Sequence, residues 1–378
     1  MELYNHVPDY DVTSILDKLA DDKDYMEMTK RDLSFLCGML RDKMPKKVVE
    51  IGVAAGFTTN VIQACLDELE CDCEMYSVDY SKKYYRNNSR ETGFLTTDVP
   101  ERIKYQRCYG GVVSEYIEDI CSDGTKIDFL IIDTVHSVPG EIIDFIVCLP
   151  YLTENCIVVL HDVGLNHLLI GLTFEYATKL LFDVVRGKKF FENNNTDEID
   201  NIAAIMVTQD TYDNIVDVFS CLSITWQYHP GENELTSYKK IIKKEYNEKL
   251  YSMFCRIIDI QKNTYSVCCI RDFFKTDLRE LVKKWLQADN VVIYGCGYYG
   301  KKVASFAIAN RMPVSAIVIS DDQLIPDSKE YCGIPIYHIS DLNSKYENIS
   351  VIMGVSDDYR DICQQNLEKL KIGYNIIS

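Results

Sequence analysis

Val48-Val49-Glu50-Ile51-Gly52-Val53-Ala54-Ala55-Gly56-Phe57-Thr58-Thr59-Asn60 is the stretch on which the fold turns. Lys47 to Ile51 reads as a short buried strand that runs into a glycine turn. Thr58 to Glu70 reads as a helix, with Val61, Ile62, Cys65, Leu66 and Leu69 on one stripe. Glycines in such a turn let the backbone bend sharply and approach a ligand, and the helix N-terminus adds partial positive charge. Upstream, Thr29 and Asp32 have the spacing of an N-cap pair, and Leu33, Leu36, Cys37 and Leu40 repeat at helical period.

Downstream the pattern alternates. Strands are expected at Met75–Asp79, around Ile103–Gln106, at Ile127–Asp133 and at Cys156–His161, with a helix over 139–149. Further strands are expected at Leu181–Val185 and Ile202–Val207. Strands alternating with helices predict an α/β fold with a doubly wound, mostly parallel sheet. From about Ser237 helices take over, at Tyr238–Lys244 and at Thr276–Leu286. The alternation then restarts at Asn290–Tyr294, with strands at Ala316–Ser320 and Ile349–Gly354. The expected partition is an N-terminal helical segment (1–45), a main α/β domain (46–235), a helical connector (236–288) and a second, smaller Rossmann-like α/β domain (289–378).

The chain has 378 residues, enough for two or three domains, and a net charge of −18. The charge is uneven: residues 1–236 hold 20 basic and 41 acidic side chains. Such a surface repels polyphosphate, so a nucleic-acid partner is excluded from the reading. Fifteen cysteines, many in apolar segments, together with an acidic start that lacks a basic and apolar leader, point to free thiols in a cytoplasmic protein. The pairs Cys71/Cys73 and Cys268/Cys269 lack zinc-knuckle spacing. No apolar run is long enough to span a bilayer.

Candidate chemistry collects at strand ends. Asp79 closes the second strand, 23 residues after Gly56, where a carboxylate can accept bonds from ribose hydroxyls. Glu50, just before the first glycine, suits a cationic amino-acid group better than a pyrophosphate. Asp133-Thr134-Val135-His136 ends the fourth strand and His161-Asp162 the next. Ligands of open parallel sheets bind outside those carboxyl ends, so the four charged side chains can converge on one site. Removing a proton from a hydroxyl is served by a divalent metal, which lowers its pKa, and by an imidazole that takes the proton.

VVEIGVAAGFTTN, SVDYS, IDFLIIDTVHS and IVVLHDV together resemble class I S-adenosylmethionine-dependent methyltransferases. More narrowly they resemble the small-molecule O-methyltransferase branch that includes macrolide-sugar methyltransferases and cephalosporin hydroxylase-like proteins. The resemblance covers about residues 28–210. It implies that Glu50, Gly52, Gly56 and Asp79 hold the cofactor, that Asp133, His161 and Asp162 bind a divalent metal (Mg or Mn), and that His136 is the general base. Many relatives carry a carboxylate where His161 stands, and an imidazole ligand suits Mn, Fe or Zn better than Mg. An amino-methylating nucleic-acid enzyme would show Pro-Pro and an aromatic after the fourth strand, which this chain does not.

A second glycine loop, Gly295-Cys296-Gly297-Tyr298-Tyr299-Gly300, has the GxGxxG spacing between a strand and a helix, and Asp321 follows where it could contact a ribose. With IYGCGYYGKKV, IVISDD and GIPIYHISDL, this segment resembles the small Rossmann-like domain appended to bacterial sugar-modifying enzymes and glycosyltransferases. A nucleotide or nucleotide-sugar is the ligand it suggests. The only Tyr-x-x-x-Lys spacing, Tyr298/Lys302, falls at the loop's own helix start, which argues against an NAD-dependent dehydrogenase. The expected function is metal-assisted O-methyl transfer from S-adenosylmethionine to a hydroxyl of a sugar or sugar-bearing metabolite. The rival is a non-catalytic nucleotide-binding or assembly protein. A homo-oligomer through the helical connector is a further expectation.

Overall fold

Lys47–Ile51, buried along its whole length, is the centre from which the first sheet is built. The computed structural model describes residues 5–6, 9–165, 175–191, 201–261, 278–369 and 374–376. Contacts divide the chain into two units, one of Met1–Ile224 with Pro230–Ile257 and one of Thr225–His229 with Ile258–Ser378. Among the described residues no helix is long and apolar enough to cross a membrane.

The strands of the large unit are β1 (Asn5–His6), β2 (Lys47–Ile51), β3 (Cys73–Asp79), β4 (Lys83–Tyr84), β5 (Asn87–Glu91), β6 (Ile103–Tyr109), β7 (Ile127–Ile132), β8 (Leu152–His161), β9 (Lys188–Phe191) and β10 (Ile202–Met206). Eight form one sheet in the order β1-β9-β10-β8-β7-β2-β3-β6, while β4 and β5 pair as a separate hairpin. β6, β3, β2, β7 and β8 run parallel, and β10 lies antiparallel to both β8 and β9. The sheet is therefore mostly parallel, as expected.

Helix Phe57–Glu68 buries Val61, Ile62, Cys65 and Leu66 against Met75, Phe129 and Ile131 of the sheet, the stripe read from sequence. Each such side chain removed from water contributes about 1.5–3 kcal/mol. Helix Lys30–Lys43 begins with a reciprocal capping box between Thr29 and Asp32. One expected strand is overturned: Leu181–Val185 lies in helix Ala177–Val184, and the strand comes later as β9. Ala177, Thr178, Leu181 and Phe182 are the buried positions, which is helical spacing. The apolar run was too short for periodicity alone to separate helix from strand.

In the small unit, β11 (Asn290–Tyr294), β12 (Ala316–Ile319), β13 (Glu330–Tyr331), β14 (Ile334–His338), β15 (Ile349–Met353) and β16 (Tyr374–Ile376) form a sheet ordered β13-β14-β12-β11-β15-β16. All neighbours are parallel except β13 with β14. Helix Tyr298–Ala309 follows the second glycine loop and packs Val303, Phe306 and Ala307 into the core with Ile293 and Ile317. Helices Glu232–Glu245 and Glu248–Gln261 replace the expected helix starting at Tyr238. Cys268, Cys269 and Thr276 lie outside the described residues.

Candidate active site

The parallel strands β2, β3 and β7 end side by side, and their ends are tied together by backbone bonds. Gly52 N–H donates to Val78 O and Asp133 N–H to Ile51 O, both at 2.9 Å. Gly52 has φ +94°, and a Cβ there would stand 1.7 Å from the Asp133 carbonyl oxygen. Only glycine fits that approach. Gly56, the N-cap of helix Phe57–Glu68, has φ +93°, and a Cβ there would stand 2.7 Å from Thr96 Oγ1 and 3.1 Å from Gly93 Cα.

Asp79 sits at the end of β3 and reaches back to the loop. Its Oδ2 accepts from the backbone N–H groups of Val53 (3.0 Å) and Ala54 (3.2 Å), and its Oδ1 from that of Ser81 (2.8 Å). Glu50 lies beneath, fully buried. Its Oε2 accepts from Ser77 Oγ (2.6 Å) and Thr59 Oγ1 (2.8 Å), while Oε1 is buried without a partner. Burial pushes the Glu50 carboxyl up to about 7, against the lowering effect of those two hydroxyls.

Beside this loop the carboxylates and imidazoles converge. His136 and Asp162 both take positive-φ backbone, +56° and +62°. His136 Nε2 lies 3.0 Å from Asp162 Oδ2 and 3.9 Å from Asp133 Oδ1. His161 Nδ1 lies 3.2 Å from Asp133 Oδ1 and 3.4 Å from Asp162 Oδ2, with Asp32 3.9 Å from its Nε2. Asn201 Nδ2 donates to Asp162 Oδ1 at 2.6 Å. Ligand atoms of Asp133, His136 and Asp162 all fall within 4.8 Å of one another, a spacing that can hold a metal ion. His161 stands outside that trio, nearly buried, as the hydrogen-bond partner of Asp133.

The charges answer one another. Burial pulls the His161 imidazole down, but Asp133 and Asp162 outweigh it and hold it up at about 10. His136 is raised as well, burial being outweighed by Asp162, Glu141 and Asp133. Burial alone would raise Asp133, but the two imidazoles bring it below the ordinary carboxylate range.

Sequence reasoning missed a buried layer beneath the site. Glu141 Oε1 accepts from Thr134 Oγ1 (3.0 Å) and from the His136 backbone N–H, and it lies 3.5 Å from His136 Nδ1. Asp144 Oδ2 accepts weakly from the same hydroxyl at 3.4 Å, and burial followed by the Glu141 charge pushes it up to about 8. Two acids at i, i+3 in the otherwise apolar helix Gly140–Cys148 were the available signal. The cluster lies apart from a cavity of about 310 Å³ beside β6, which Tyr76, Arg107, Tyr109, Tyr116 and Asp119 help to line.

In the small unit the glycines divide. A Cβ at Gly300 would meet Gly295 O at 1.9 Å and one at Gly295 would meet Gly354 O at 2.5 Å, so backbone packing requires both. Gly297 faces open space. Asp321 Oδ1 accepts from Ser340 N–H at 3.1 Å, tying down a turn.

Residues 49–163 match the family model described as a methyltransferase domain. No curated protein matches the chain. Among solved structures, the chain is similar to the O-methyltransferase TomG of Streptomyces achromogenes, involved in tomaymycin synthesis and solved with S-adenosylmethionine. The identity is 13%, the TM-score 0.38, and 53% of this chain and 92% of that one are covered. It is similar to an O-methyltransferase of Bacillus cereus solved with S-adenosylhomocysteine, at 14% identity, TM-score 0.36 and the same coverages. It is also similar to the methyltransferase PaMTH1 of Podospora anserina, at 16% identity and TM-score 0.37, over 55% of this chain and 92% of that one. These likenesses assign no residue and no substrate here. The family match spans the glycine loop, Asp79 and the Asp133–Asp162 cluster, so this part of the chain is similar to a methyltransferase domain.

Proposed function

We propose that the large unit transfers a methyl group from S-adenosylmethionine to a hydroxyl of a sugar or sugar-bearing metabolite, with a divalent cation assisting. The observation that carries the reading is the convergence of Asp133, His136 and Asp162 beside a glycine loop bridged by Asp79. The residues suit the groups. Glu50 Oε1 is a buried acceptor without a partner, fit for the ammonium end of an amino-acid cofactor. Asp79 offers the acceptor oxygens a ribose needs. Asp133 and Asp162 are oxygen donors, the chemistry that Mg or Mn prefers. His161 then supports Asp133 through its 3.2 Å contact instead of ligating the cation.

The cation, when bound, lowers the pKa of an acceptor hydroxyl. The protein's own part is positional. His136 Nε2 takes the hydroxyl proton, and Asp162, at 3.0 Å, steadies the imidazolium that results. Glu141 pins the turn that carries His136 by binding its backbone N–H. His161 balances the charge of Asp133 in the cofactor-free protein.

The test is release of S-adenosylhomocysteine when sugar acceptors are offered. Asp133→Ala and His136→Ala should each abolish turnover while cofactor affinity changes less than about threefold. Unaltered turnover in both variants would remove this mechanism.

A further inference from the structure

Between Asp79 and the return to the glycine loop, the chain makes a detour that belongs to neither sheet of the core. Strands β4 and β5 pair as a hairpin whose outer strand, Asn87–Glu91, is exposed at every residue. Its root is tied to the cofactor loop. Ser81 N–H donates to Asp79 Oδ1 at 2.8 Å, and Thr92 closes the base through Lys82 O (3.1 Å) and Ser81 O (2.7 Å). Immediately beyond, Gly93 N–H donates to Ala54 O at 2.9 Å and Leu95 N–H to Ala55 O at 3.1 Å. Any movement of the hairpin therefore pulls on Asp79 and on the backbone of the first glycine loop.

The other end is fastened by a single acid from a distant part of the sequence. Glu27 Oε1 accepts from Tyr85 OH at 2.7 Å and lies 3.3 Å from the Arg86 guanidinium, while Arg86 Nε donates to Tyr85 OH at 2.7 Å. Tyr85 packs edge-on against Tyr84, and Tyr84 against Tyr25 and Phe94. Arg90 lies over the Phe94 ring at 4.5 Å. The hairpin thus runs from the Asp79 end of the first glycine loop to Glu27.

We infer that Glu27, Tyr85 and Arg86 are positioning residues that latch this hairpin beside the Asp79 end of the cofactor loop, so that the latch governs how fast cofactor and product leave. The inference rests on the cofactor reading of Asp79 and the first glycine loop. Tyr85 and Arg86 are side chains that water reaches, so the latch is held by a few exchangeable contacts, the kind that open locally without unfolding the unit. Opening it frees the tip while the root remains tied. Loops that close on a bound ligand commonly set its release rate.

The experiment is stopped-flow release of S-adenosylhomocysteine from the full chain, wild type against Glu27→Gln, Tyr85→Phe and the double variant. Each single change should speed release about tenfold, with the melting temperature kept within about 2 °C. Because the two share one latch, the double variant should release no faster than either single one. Hydrogen exchange of residues 83–91, measured without ligand, should rise in both single variants. Release within twofold of wild type in both would overturn the latch. If the wild type binds no S-adenosylhomocysteine, the cofactor reading fails. The exchange measurement then decides whether Glu27 holds the hairpin, and unchanged exchange rejects that too.

Discussion

Glu50 shows how one side chain ties sequence to chemistry. An acid before a glycine turn suggested a cationic partner, and the fold has buried it with one oxygen satisfied by Ser77 and Thr59 and the other left open. Its pKa is raised from 4.5 to about 7, so the ligand-free folded state binds a proton that the unfolded chain has lost. Stability attached to this group is complete below about 4.5 and is lost as pH rises through about 7, a change on the order of 3 kcal/mol. Glu50→Gln should flatten that decline, and melting curves between pH 4 and 8 without cofactor measure it. An equal slope in variant and wild type would contradict the assignment. Asp133, His136, His161 and Asp162 were legible because strand ends mark ligand sites in parallel sheets. How the two imidazoles share the carboxylate pair was not, because those contacts exist only once the chain has folded. Glu141 escaped for a related reason, since a buried acid is visible only once its partners are in place. Glu141→Gln keeps an acceptor for the His136 N–H but removes the charge 3.5 Å from its ring, and should lower turnover about 10- to 100-fold with cofactor affinity unchanged.

At the scale of elements, the strand–glycine–helix unit at 47–68 was read almost to the residue because three independent signals agree there: apolar run, φ-permissive turn and helical stripe. The strand expected at Leu181–Val185 failed because a five-residue apolar run carries no decisive period. The β4–β5 hairpin and β9 were not foreseen, since polar or short strands leave little alternation to read. The two glycine loops make a sharp comparison. Gly52→Ala should destabilise the large unit by more than about 3 kcal/mol, because the added methyl meets the Asp133 carbonyl in left-handed backbone. Gly297→Ala should change stability by less than about 1 kcal/mol, because nothing stands within 4 Å of the added atom. Urea titrations of the two variants check both statements, and equal costs would mean that the loops are not packed as described.

For the whole molecule, the division into two contact units gives the uneven charge a place: the acidic residues 1–236 lie almost entirely in the unit that holds the segment similar to a methyltransferase domain. On the proposed function, an acidic unit suits a bound cation and an acceptor without strong negative charge. The sequence pattern leads one to expect two α/β segments and a helical stretch between them. It could not assign helix Glu232–Glu245 to the large unit, where Lys240 and Lys244 both pair with Glu118. The central claim is that the first glycine loop and Asp79 bind S-adenosylmethionine. Isothermal titration of the intact protein with S-adenosylmethionine, with and without Mg or Mn, tests it most directly. The expected result is one site per chain, weakened about tenfold or more by Asp79→Ala, whereas no binding under either condition would contradict the claim.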